Sequence, residues 1–149
     1  QSVQDQIRAQ SHTVQRKIQQ KHFGGREKDR VKSLTNIINR LVQKEYVSTK
    51  SIVIVSDVAY KDSILADEQK IGAYDISFDS FSSVGENQIC FKTAEEFKGL
   101  EANIVIYLKH NFENIPETEI HHKREYVAIT RARYYLYILS TKCVAQIGE

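Results

Sequence analysis

The sequence predicts an α/β fold with a mostly parallel sheet, and three observations predict it. Residues 31–42 repeat apolar side chains at helical spacing. "SIVIVSD", from Ser51 to Asp57, is an apolar β-branched run without alternation, the pattern of a strand covered on both faces, as in parallel sheets. Further strand-like runs, "QICFKT", "NIVIYLK" and "YYLYILS", are separated by turn-rich or helix-length segments.

The totals fit one soluble domain. The chain has 149 residues, 41% hydrophobic and 27% charged, enough for one core and ordinary in composition. Its longest apolar runs, near Ile52–Val55 and over 103–108, fall far short of the roughly 20 residues of a membrane-spanning helix, so no membrane partner is expected. A net charge of +2 neither demands nor excludes nucleic acid. Cys90 and Cys143 lie in strand-like stretches without CxxC spacing, which points to buried thiols in a reducing compartment, the cytoplasm.

Taken in order, Val3, Ile7, Val14 and Ile18 mark one narrow stripe of a helix that Gly24 and Gly25 stop. Residues 1–25 are therefore expected to be a helical extension, docking on the rest of its own protein or self-associating with a neighbour. From Glu27 to Tyr46, the set Val31, Leu34, Ile37, Ile38, Leu41 and Val42 predicts a core-facing helix. Ala59 to Ile71 reads as a short helix ended by Gly72, and "YDISFDSF" alternates as a strand should. The turn Ser82–Asn87 leads into "QICFKT". After "NIVIYLK" a polar loop holds Pro116, and a helix from about Glu117 to Arg131 feeds "YYLYILS".

Two stretches carry chemistry. In "TAEEFKGLE", Thr93 and Glu96 match a capping box, and Gly99 suits the end of a one-turn helix. On that reading Lys98 and Glu101 are solvated loop residues. In "YVAITRA", Thr130–Arg131–Ala132 ends a helix and passes directly into a strand. Arg131 there is either a cation favourably placed at a helix C-terminus or a rigid fork of donors suited to phosphate.

Together, in this order and about thirty residues apart, the stretches resemble motifs V and VI of superfamily 1 DNA helicases of the UvrD, Rep and PcrA type. The resemblance covers about the last sixty residues. It implies that residues 26–149 form the second RecA-like motor domain, a P-loop NTPase-type sheet flanked by helices, of an ATP-dependent DNA helicase. It further implies that Arg131 is the arginine finger, that Glu101 accepts from the ribose, and that Gly99 lets backbone approach the nucleotide. Thr93 would contact a DNA phosphate, while Lys98 and Thr130 belong to the motifs without an assigned role. The partners implied are single-stranded or duplex DNA and the N-terminal motor domain of the same polypeptide, with ATP and Mg2+ bound mainly by that other domain. Glu95 stands where the family has a histidine, and His122–Lys123 where it has a basic pair.

No G-x-x-x-x-G-K-[ST] occurs, so no loop in this sequence cradles the phosphates and holds magnesium, and the chain alone is expected not to hydrolyse ATP. The same absence, with no methionine present, suggests a piece of a longer helicase. The alternative is a free-standing, degenerate relative acting as a nucleic-acid or protein binding module. Adjacent His121 and His122 point about 100° apart on a helix, which argues against a metal site with His110. Tyr134, Tyr135 and Tyr137 either stack bases or, as strand alternation favours, pack on the sheet.

Overall fold

The computed structural model describes residues 18–22, 27–112, 116 and 118–143. Its strands are β1 (Ile18–His22), β2 (Ile52–Ser56), β3 (Lys70–Ile71), β4 (Tyr74–Ser77), β5 (Gln88–Thr93), β6 (Ala102–Phe112) and β7 (Ala132–Cys143). Its helices are α1 (Glu27–Asn39), the one-turn α2 (Ala94–Phe97) and α3 (Glu119–Arg131). The strands form one sheet in the order β1-β7-β6-β2-β5-β4-β3. Every neighbouring pair is parallel except the short β3–β4 hairpin. No described helix is long and apolar enough to cross a membrane.

The unbroken apolar run of β2 is explained by its central place. All five of its residues are buried, with Ile52 and Ile54 facing one layer and Val53 and Val55 the other. On the first face Leu34, Ile37 and Ile38 of α1, with Leu41 just beyond its end, pack on the isoleucines of β2 and β6. On the second, Ala94 and Phe97 of α2 and Ala128 of α3 cover Val53, Val55, Val105, Leu136 and Ile138. Each such buried aliphatic side chain contributes about 1.5–3 kcal/mol of transfer free energy.

Several expectations are corrected. The helix anticipated over residues 1–25 lies mostly outside the described residues, but its described part, Ile18–His22, is a strand whose backbone pairs in parallel with 136–140 of β7. The ladder offered by β7 overrides the helical spacing. The helix expected to Tyr46 closes instead in a π turn over Arg40–Lys44, with Glu45 N–H donating to the Arg40 carbonyl at 3.0 Å, while Arg40 Nη2 donates to the Tyr137 hydroxyl at 3.3 Å.

The helix expected over 59–71 does not form. Ser63 Oγ donates to the Tyr60 carbonyl at 2.8 Å and accepts from Leu65 N–H at 3.1 Å, local bonds that compete with the helical ladder. A 3-10 turn at Tyr60–Asp62 and the strand Lys70–Ile71 replace it, and Gly72 at φ +61° turns the β3–β4 hairpin. The strand read in "YDISFDSF" stops at Ser77, whose Oγ accepts from Asp79 N–H at 3.3 Å.

Pairing of β6 with β7 shifts register between Ala102 and Ile104, which face Ala132 and Tyr135. This bulge gives β7 one extra residue. Tyr134 and Tyr135 are consequently both exposed, at 54% and 47%, while Tyr137 returns to the core, so the expected packing holds for Tyr137 alone.

Candidate functional site

Strand β5 ends at Thr93, paired with Ser56 at the C-terminal edge of the sheet. Thr93 Oγ1 accepts from Glu96 N–H at 3.2 Å, and Glu96 Oε1 accepts from Thr93 N–H at 2.9 Å, the reciprocal capping pair. The cap uses a hydroxyl lone pair and not its proton. Buried Ala94 and Phe97 anchor the turn, Lys98 closes it with an exposed side chain, and Gly99 at φ +86° redirects the chain. A Cβ at Gly99 would meet no atom within 4 Å, so the backbone there borders open space.

Glu101 and Arg131 immediately precede Ala102 and Ala132, which pair at the N-terminal start of β6 and β7. Glu101 Oε2 accepts from Arg133 Nε at 3.0 Å in an exposed ion pair. The Arg131 Nε is buried with no hydrogen-bond partner among the described residues. Thr130 donates its hydroxyl back to the Tyr126 carbonyl at 2.9 Å, so its proton serves the helix. Through Ser56, Thr93 stands level with Leu108, six residues along β6 from Ala102. The candidate strand contact and the candidate nucleotide contacts thus sit at opposite ends of the sheet, about 20 Å apart along the strands.

Between α2 and α3 runs a groove of about 380 Å³ lined by Ala94, Glu95, Lys98, Ile120, Lys123, Arg124, Tyr126, Val127, Thr130 and Arg131. Glu95 Oε1 accepts from Arg124 Nε at 2.5 Å across it. Sequence reasoning missed Arg124. The signal was present, since Arg124 lies seven residues before Arg131 and so on the same helical face. This ion pair gives the acid at position 95 a partner on α3.

A second missed pair is buried at the C-terminal ends of β2 and β6. Asp57 Oδ1 lies 2.7 Å from His110 Nδ1, and Oδ2 accepts from His110 N–H at 3.0 Å. His110 Nε2 accepts from Ile64 N–H at 3.1 Å, so the ring proton resides on Nδ1 and is donated to the carboxylate. His121 caps α3 by accepting from Thr118 N–H at 2.9 Å, so these two histidines do separate jobs. Cys90 is buried as expected, and burial pushes its thiol up to about 11, with Lys92 pulling it down and Glu96 pushing it up. The side chain of Cys143 lies outside the described residues.

No family model and no curated protein matches the sequence. Among solved structures, the chain is similar to the C-terminal domain of a possible DNA helicase from Lactobacillus plantarum, with a TM-score of 0.61 at 15% identity over 97% of this chain and 89% of that one. At that identity the likeness shows the fold, a mostly parallel, RecA-like α/β sheet with flanking helices.

Proposed function

We propose that this chain is the C-terminal motor domain of an ATP-dependent DNA helicase of the UvrD type, and that it couples ATP closure at one sheet edge to a DNA strand at the other. The observation that carries this reading is the placement of Thr93 at the C-terminal edge, and of Glu101 and Arg131 at the N-terminal start of β6 and β7, with α2 and α3 packed on one face between them. Arg131 would reach a γ-phosphate held by the N-terminal motor domain, where a guanidinium stabilises charge spreading over the transferring oxygens. Gly99 offers backbone without a side chain, and Glu101 would accept from ribose once it leaves Arg133. Magnesium would be held by the phosphates and by the other domain.

The likeness to a helicase C-terminal domain supports this reading at the level of fold. It is tested in a protein containing both motor domains: Arg131→Ala should lower DNA-stimulated ATPase about 10³-fold while ATP binding is nearly unchanged. Equal loss of binding and turnover would remove the finger role.

The Glu101–Arg133 pair favours a second reading, a non-catalytic nucleic-acid or protein binding module, because the carboxylate that would hold ribose is already engaged. Nucleotide binding by the two-domain protein that survives Glu101→Gln unchanged would support it.

A further inference from the structure

We propose that the α2–α3 groove holds one strand of DNA by its phosphates, and that Glu95 occupies the place of a phosphate on Arg124 until the strand arrives. The inference rests on the DNA reading of Thr93 and adds a site and a gate to it.

Charge points to an anionic occupant. Besides Arg131, which the proposed function gives to the nucleotide, three cations, Lys98, Lys123 and Arg124, line the groove against a single carboxylate, Glu95. Among the described residues, Lys98 and Lys123 have no acidic partner within ion-pair distance. Arg124 lies two turns of α3, about 10 Å along its axis, from Arg131, which keeps the cation offered to the strand apart from the one offered to the nucleotide. Tyr126 and the 56%-exposed Ile120 add apolar surface of the kind on which bases and sugars rest. The groove adjoins Thr93, since α2 starts at the residue after it, so a strand touching the Thr93 hydroxyl would pass beside Glu95.

Glu95 gives the site its regulation. Its carboxylate meets the Arg124 guanidinium in the charge-assisted geometry that a phosphate oxygen would adopt. It is 59% exposed while Arg124 is 29% exposed, so the acid can swing into water and leave the arginine in the groove. A phosphate arriving at Arg124 must therefore displace Glu95, and strand affinity is set by that competition.

The test is fluorescence anisotropy with the full chain and a labelled oligothymidylate, titrated between 50 and 200 mM salt. Glu95→Gln should tighten binding roughly three- to fivefold at low salt, the worth of one exposed ion pair. It should also steepen the dependence of log affinity on log salt by about 0.7, one more phosphate neutralised. Arg124→Gln should weaken binding, and Glu95→Gln should give no gain in that background. Asp75→Asn, which makes the same change of charge on β4 away from the groove, should leave affinity near that of the unaltered chain. No gain from Glu95→Gln, an equal gain from Asp75→Asn, no strand binding by either form, or preference for a duplex or for oligouridylate would each overturn the proposal. ATP turnover plays no part in the measurement, so a failure of the Arg131 experiment and a failure of this one are separable.

Discussion

Replacing Asp57 by alanine should destabilise the chain by about 3–5 kcal/mol. The carboxylate is 3% exposed and accepts two bonds from one residue, the His110 amide at 3.0 Å and the ring Nδ1–H at 2.7 Å. Each donor left buried and unsatisfied costs about 1–3 kcal/mol, toward the upper part of that range where the lost acceptor is a carboxylate, so the two together cost about 3–5. Asp57 N–H also donates to the Leu108 carbonyl at 3.2 Å, and His110 Nε2 holds Ile64, so the loss should spread to the loop after β2. Urea unfolding followed by far-UV circular dichroism should show a lower midpoint with an unchanged slope. Asp57→Asn, which keeps an acceptor for one of the two donors, should cost less than Asp57→Ala. Nitrogen NMR of the histidine ring should find Nε2 unprotonated. A loss below about 1 kcal/mol for Asp57→Ala, or a proton on Nε2, would refute this account of the pair.

Thr93→Ala should cost about 1 kcal/mol by removing the cap on α2, and Thr93→Ser should restore it, both read by thermal or urea denaturation. Gly99→Ala should cost about 1–2 kcal/mol from the left-handed backbone alone, since the added methyl meets nothing, and Gly99→Asn less. Alkaline stability should report Cys90: with the folded thiol raised from 9.0 to about 11, the unfolded chain ionises first. Stability present below pH 9 is therefore lost as pH rises toward 11, by up to about 2–3 kcal/mol, and Cys90→Ala should lack that part of the decline in pH-dependent urea titrations.

Much of the sheet was legible because its strands are buried on both faces. "IVIVS" and "QICFKT" occupy the strands β2 and β5 at the residues expected, and the Thr93–Glu96 cap formed as its spacing predicted. Local reading failed where tertiary partners decide. Ile18–His22 has helical spacing upstream but a free strand edge beside it, and Ser63 diverts the 59–71 segment through bonds that no apolar periodicity reveals. The motif residues Thr93, Gly99, Glu101 and Arg131 could be picked out by type and order. Their separation to the two ends of the sheet could not, because it depends on register between strands far apart in sequence. Arg124 and His110 were hidden for the same reason, since their partners Glu95 and Asp57 lie 29 and 53 residues away.

The placement of β1 has a practical consequence for anyone dissecting this chain. Gly24 and Gly25 invite a cut that would discard everything before α1. That cut would strip β7 of the backbone pairing over 136–140 and leave five residues of a long apolar strand, "LYILS", with open amides and carbonyls at the sheet's margin. Unpaired strands of this kind recruit other chains edge to edge. A truncation starting at Glu27 should therefore fold around the same core yet self-associate and precipitate, and the short segment ahead of the glycines would be valued less for any contact of its own than for keeping copies of the molecule apart.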